Sequence, residues 1–223
     1  MRLIQLGPVA IYDDALTATC FTRLRNRIYR TGDLENTFDR TFWFGFSEPP
    51  DNVVALAILE LHRLLNHGRR IIGAEWWLSR MRTSHVPFAF HQDRDGWHRV
   101  RTGKILHPVL SSVLFLNRCR GGSLAISERA PDEANRAAAP DGELWLACPR
   151  SNRFAVFPGN LTHGVLDSHN EIPGARRRRE TRLRLAVAIN FWHRRPERIE
   201  AFSGSSHYPV LAMGKRVAEL RAP

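Results

Sequence analysis

A chain of 223 residues with 43% hydrophobic content can bury one large core, so a single domain is expected. Its formal charge of +11 is nearly all arginine, since Lys104 and Lys215 are the only lysines among 33 basic side chains, and a GC-rich genome produces the same bias; the charge alone does not argue for a nucleic-acid partner. Cys20, Cys119 and Cys148 are odd in number and widely spaced, which excludes a disulfide framework or a paired-cysteine metal site and fits a reducing cytoplasm.

The apolar run from Leu3 to Tyr12 is interrupted by Gly7-Pro8 and followed by Asp13-Asp14 without a convincing cleavage site, so no leader or membrane anchor is read there. Behind Asp13-Asp14, which can cap a helix, Leu16, Cys20, Phe21, Leu24 and Ile28 recur at helical spacing. A second helix starts near Pro50-Asp51, carries Val54, Ala57, Ile58, Leu61, Leu64 and Leu65 on one side, and ends near Asn66-His67-Gly68.

From Ile71 the pattern changes to short β-type runs punctuated by Gly, Pro, Asn and Asp. Strands are expected over 71–80, 85–91, 108–117, 122–127, 143–148, 153–157, 162–166 and 181–193. Eight short strands point to a jelly roll or small barrel. The expected organisation of 1–223 is a helical support over 1–70 packed on one sheet, a β core over 71–196, and an extension over 197–223 that can hold a packing helix. The stretch 129–142 reads as a loop or short helix, and Arg176 to Arg179, after Pro173-Gly174, as a solvated surface loop. No internal repeat or low-complexity tail is present.

Chemistry concentrates in Phe90-His91-Gln92-Asp93 and, far downstream, in Pro158-Gly159-Asn160-Leu161-Thr162-His163-Gly164. Among ten histidines a lone His-x-Asp is more often structural than catalytic. Here the two residues are spaced to project to one side of an extended segment, and the Pro158-Gly159 turn can return His163 to the same cavity. Two imidazoles and one carboxylate suit one face of a divalent iron, with the opposite positions open. Those ligands would be His91, Asp93 and His163.

The last long strand adds a second feature. Leu183, Leu185, Val187, Ile189 and Phe191 alternate with Arg182, Arg184, Ala186, Ala188 and Asn190, so a bulky apolar face backs one of small residues and cations. Small side chains beside a guanidinium leave room for a carboxylate gripped by two parallel hydrogen bonds. Either arginine could equally point to water.

Taken in order, Phe90 to Asp93, Leu110 to Asn117 with Gly121-Gly122-Ser123-Leu124, Phe157 to Val165, and Arg184 to Trp192 resemble the Fe(II)- and 2-oxoglutarate-dependent oxygenases, nearest in pattern to the prolyl-hydroxylase-like branch. The match runs over roughly 74–196. The resemblance implies a mainly β fold with flanking helices, built on a double-stranded β-helix (jelly roll, cupin-like) core. It implies Fe(II) held by His91, Asp93 and His163, with O2 and 2-oxoglutarate as cosubstrates. Arg184 would bind the distal carboxylate of 2-oxoglutarate, with Arg182 as the other choice, and Ser111 and Asn190 would be further cosubstrate contacts. Some relatives carry a tyrosine near Phe115, whose ring here cannot supply a hydroxyl. The carboxylate at position 93 argues against halogenation, for which related enzymes leave that place to a small residue.

The implied reaction is hydroxylation of an unactivated C–H bond in an amino acid, a peptide or a small natural-product intermediate, with release of succinate and carbon dioxide. Arg94 to Arg101 reads as a lid or a plain surface hairpin. Trp76 and Trp77 should face opposite sides of a strand, and His107 reads as a structural histidine. The competing readings are an arginine-rich nucleic-acid binder and a cupin-type metalloprotein without 2-oxoglutarate. No nucleotide-lid pattern precedes His91, and no membrane partner is expected.

Overall fold

The computed structural model describes residues 1–31, 40–65, 70–82, 90–131, 140–167, 183–204 and 206–213. Its first element is an antiparallel hairpin of β1 (Arg2–Leu6) and β2 (Val9–Asp13). Gly7 turns at φ +54 with the Trp145 ring 2.8 Å from where a Cβ would stand, so both backbone and space call for glycine. Neither this hairpin nor β3 (Phe42–Gly45) is among the strands expected from sequence. The segment 1–70 is therefore not purely helical, because these three strands extend a sheet.

Helix α1 (Ala18–Tyr29) buries Phe21, Leu24 and Ile28, as its spacing implies. Its cap is Thr17, whose side chain accepts from the Cys20 amide, rather than Asp13-Asp14. Asp13 is instead buried at the end of β2, where Arg153 Nε donates to it at 2.7 Å and Arg150 Nη1 at 2.9 Å. Helix α2 (Val53–His62) is capped by Asn52 Oδ1, which accepts from the amides of Val54 and Ala55 at 2.9 Å each. It stops at His62, so Leu64 and Leu65 lie past its end, and 66–69 lie outside the described residues.

The sequence-expected strands appear as β4 (Gly73–Arg82), β5 (Leu110–Phe115), β6 (Leu124–Ser127), β7 (Trp145–Ala147), β8 (Arg153–Pro158), β9 (Thr162–Val165) and β10 (Leu183–Trp192). Of the expected strand 85–91 only Phe90 and His91 are described, and His91 bridges to His163 on β9. The short β11 (Glu200–Ala201) runs parallel to β3 and leads into two single 3-10 turns, Phe202–Gly204 and Pro209–Leu211. Arg182, the Arg176 to Arg179 run, 132–139 and 214–223 lie outside the described residues.

Eight strands form the larger sheet in the order β1-β2-β8-β5-β10-β4-β3-β11, and three form the smaller one as β7-β6-β9. The central strands β8, β5, β10 and β4 are not chain neighbours; they interleave antiparallel as the chain passes back and forth to the smaller sheet. That is the double-stranded β-helix core.

Strand β10 shows why the layers form. Leu185, Val187, Ile189 and Phe191 join Leu24, Ile28, Val54 and Ile58 in one apolar cluster, which packs α1 and α2 on that face. Each fully buried side chain of this size contributes about 1.5–3 kcal/mol. Ala186 on the opposite face joins Phe115, Phe157, Leu124 and Ile126 in the cluster between the sheets. Trp76 packs in the helix-facing cluster, so its neighbour Trp77 faces the interior between the sheets.

The ion pair at Asp13 is the strongest single polar tie of the N-terminal hairpin. The side chains of Asp13 and Arg153 are 2% and 15% exposed, whereas Arg150 is 51% exposed and adds little. Asp13→Ala would strand a mostly buried guanidinium and is expected to lower stability by about 3 kcal/mol at neutral pH. The Arg153 hydrogen bonds hold the Asp13 carboxyl below its ordinary value against the opposing effect of burial. Its contribution is therefore complete above the usual carboxylate range and is lost as pH falls through the lowered pKa. Denaturant melts of both proteins at pH 7 and pH 3 should show the gap narrowing in acid.

Candidate active site

His91 and His163 come together through the backbone. The amide of His91 donates to the carbonyl of His163 at 2.9 Å, and that of His163 to the carbonyl of His91 at 2.8 Å. Directly opposed residues of such a pair project to the same side, and the two imidazole centroids lie 4.5 Å apart. Asp93, two residues past His91, closes the group. Its Oδ1 lies 3.7 Å from His91 Nε2 and its Oδ2 3.4 Å from His163 Nε2.

One ligand atom from each of the three lies within 4.8 Å of the others. Donors about 2.1 Å from a metal and at right angles to one another are about 3 Å apart, so a cation needs to draw these inward only slightly. Burial pushes the His163 imidazole down to about 4, against the opposing pull of Asp93, so the ring is neutral at pH 7, as a ligand must be. A carbonyl only accepts, so the 3.2 Å contact of His163 Nδ1 with Leu161 O fixes the proton on Nδ1 and leaves the Nε2 lone pair for the metal. Two imidazoles and one carboxylate are the donor set of a mononuclear Fe(II) site with open positions, and the residues present fit it.

The surrounding chain holds the group in place. Ser111 Oγ donates to Asp93 Oδ2 at 2.8 Å, and His107 Nδ1 donates to the Asp93 carbonyl at 2.7 Å. Ser111, which the resemblance implies as a cosubstrate contact, thus also supports the Asp93 carboxylate. His107, read from sequence as structural, holds the backbone of that same residue. Gln92 donates to Asn160 O at 2.9 Å and ties the His91 segment to the turn before His163. In that turn a Cβ on Gly159 would stand 2.3 Å from Pro108 O, so only glycine lets the chain pass there. Ser111→Ala removes a hydrogen bond from a ligating carboxylate and is expected to weaken divalent-metal affinity roughly tenfold, measured by competition with a chromogenic chelator.

Arg94 to Arg101, read as a lid or hairpin, contains helix α3 (Gly96–Thr102), which buries none of its residues. Asp95 caps it by accepting from the His98 amide at 2.9 Å, and its other oxygen accepts from the Glu197 amide at 3.0 Å. The amide of Asp95 donates to Leu106 O, so the loop that carries Asp93 is closed at its base. Trp97 lies under Arg198, 3.7 Å from ring centroid to guanidinium carbon.

Arg184 points inward and is 1% exposed. Its Nε donates to Gly122 O at 2.8 Å, its Nη1 to Ser79 Oγ at 3.2 Å, and its guanidinium lies over the Phe115 ring at 5.0 Å. Phe115, where a tyrosine was noted as absent, thus serves as a platform for the cation. Among the described residues no carboxylate compensates the charge, and burial pushes its pKa down to about 10. Of five N–H donors two are used. Ala186 and Ala188 follow on the same face of β10, between the guanidinium and the row of Asn190, Ser111 and the metal group. That row is about 13 Å along the strand from Ala186.

Asn190, the other residue that the resemblance implies as a cosubstrate contact, donates to Glu75, which sequence reasoning missed. Glu75 lies opposite Asn190 on β4 and also accepts from Trp192 Nε1 at 3.2 Å. Burial first, and then the charge of Asp93, push its carboxyl up to about 7. The one signal for it in the chain is an acid alternating with Trp77 on the side opposite Trp76.

No family model matches the chain, and no curated protein matches it. Solved structures do. A prolyl-4-hydroxylase from Pseudomonas putida is 20% identical, the match covering 84% of this chain and 94% of that one, with a TM-score of 0.51. Prolyl 4-hydroxylases from Phytophthora capsici match at 13% identity over 96% of this chain and 68% of that one, with a TM-score of 0.50. HygX from Streptomyces hygroscopicus, solved with nickel and 2-oxoglutarate bound, matches at 14% identity over 86% and 84%, with a TM-score of 0.49. At these identities the likeness is one of fold.

Proposed function

We propose that this chain, which has the fold of the Fe(II)- and 2-oxoglutarate-dependent oxygenases of the prolyl-hydroxylase-like kind, is an oxygenase of that class. Its reaction is hydroxylation of a C–H bond in an amino acid, a peptide or a small natural-product intermediate. The observation that carries this reading is the convergence of His91, Asp93 and His163 in the same interior as a buried Arg184 that no carboxylate among the described residues compensates. A buried cation left unpaired is costly, and a dicarboxylate cosubstrate removes that cost when it binds.

In this reading His91, Asp93 and His163 hold the iron, and Arg184 takes the distal carboxylate of 2-oxoglutarate. Bound Fe(II) with 2-oxoglutarate and O2 supplies the oxidation, one oxygen atom entering the substrate and the other succinate, with loss of carbon dioxide. The chain does the rest. Arg184 orients the keto acid over Ala186 and Ala188, where small side chains leave its path open. Ser111 and His107 keep the Asp93 carboxylate turned toward the histidines. Phe115, Phe157 and Leu161 wall the space in apolar side chains and limit water. A cupin-type site that takes no acid has no use for an uncompensated Arg184. We place the protein in a reducing compartment, which suits Cys20, Cys119 and Cys148, none of which forms a disulfide.

The test is release of carbon dioxide and succinate from 2-oxoglutarate labelled at its first carboxyl. Both products should depend on added Fe(II) and O2 and stop on chelation. Metal binding without any succinate would remove the oxygenase reading and leave a cupin-type metal protein.

A further inference from the structure

The interior face of β4 and β10 carries one basic and one acidic side chain that the described residues leave without an ion-pair partner. Arg184 stands at one end. Glu75 stands at the other, in the cross-strand row Glu75, Asn190, Ser111 that ends on Asp93. Along the strands it lies between the row of Trp192, which donates to it, and that of Trp77, the next interior residue of β4. Both Glu75 and Trp77 are partly open to solvent. All three hydrogen-bond partners of Glu75 (Trp192, Asn190 and Thr41) are neutral, and among the described residues no basic side chain is ion-paired with it.

A carboxyl needed only to accept three hydrogen bonds could be an amide, without the cost of burying a charge near Asp93. An acid with an indole two residues on along the same strand face is an arrangement that can hold an ammonium or guanidinium, because a carboxylate and a ring face both attract a cation. We infer that Glu75, with Trp77, anchors a positively charged group of the primary substrate while the buried Trp192 fixes the carboxyl in place, so that this oxygenase acts on an amine- or guanidine-bearing compound. The inference rests on the proposed reaction class and names the substrate chemistry for the same site. Adjacent strands are about 4.8 Å apart, which puts the backbone of Glu75 about 10 Å from that of Ser111. The carbon presented to the metal group is then several bonds from the cationic nitrogen.

The test uses a matched pair of probes, n-butylguanidinium and its neutral analogue n-butylurea. Each is titrated by ligand-observed NMR into native protein holding Fe(II) and 2-oxoglutarate under anaerobic conditions. The guanidinium is expected to bind at least tenfold more tightly than the urea. Glu75→Gln, which keeps the shape and can still accept, should bring that ratio close to one, while Glu75→Asp should keep part of it. Equal affinity of the two probes for native protein overturns the inference, even if Glu75→Gln does not fold; so does an unchanged ratio in a folded Glu75→Gln. The reaction class is read separately. A protein that prefers the cation but releases no succinate loses the oxygenase reading and keeps the subsite, and succinate release without a preference does the reverse.

Discussion

Arg184→Met is expected to raise the KM for 2-oxoglutarate a few hundred-fold while leaving the empty protein about as stable as before. Two charge-assisted hydrogen bonds to a carboxylate, at about 1.5–2 kcal/mol each, make roughly 3–4 kcal/mol, and each 1.4 kcal/mol is tenfold in affinity. The stability half follows from burial. In the native chain the guanidinium is 1% exposed and faces no carboxylate among the described residues, so a methionine of similar length trades an uncompensated charge for apolar contact with Phe115. The lost bonds to Gly122 O and Ser79 Oγ offset part of that gain. Calorimetric titration of 2-oxoglutarate and thermal unfolding read the two halves independently. A large drop in Tm with unchanged affinity would make Arg184 a structural residue.

Asp93→Ala is expected to abolish succinate formation and weaken metal binding by two orders of magnitude or more. Asp93 is the only anion of the group, and its carboxylate faces both histidines, at 3.7 and 3.4 Å. Without it two imidazoles remain, and the hydroxyl of Ser111 loses its acceptor. The backbone carbonyl that His107 holds stays, so the loop should keep its path and the variant should fold. Undiminished turnover in a folded Asp93→Ala would take Asp93 out of the ligand set.

The metal group was legible in part from local pattern, since His91 and Asp93 share a side by strand period. For Arg184 the alternation on β10 left the direction open, and the resemblance favoured it. The first hairpin was less visible: Leu3 to Tyr12 is apolar but for Gln5 and Gly7 rather than alternating, and Gly7-Pro8 read as a break where it is a turn. Asp13-Asp14 matches a helix cap in sequence, but Arg153, distant in the chain, claims Asp13. Helix α3 carries its own signals, Asp95 as cap and Gly103 at φ +70 as stop, yet it has no apolar face to give it a period. Glu75 has only a faint local signal, an acid alternating with Trp77. What singles it out is its register opposite Asn190 and the charge of Asp93, both of which depend on strands brought together by folding.

Diffraction at the iron absorption edge, from crystals grown without oxygen in Fe(II) and 2-oxoglutarate, addresses the site most directly. One anomalous peak is expected within bonding distance of His91, Asp93 and His163, with the keto acid running from it toward Arg184. A peak elsewhere, or a keto acid bound away from Arg184, would contradict the assignment.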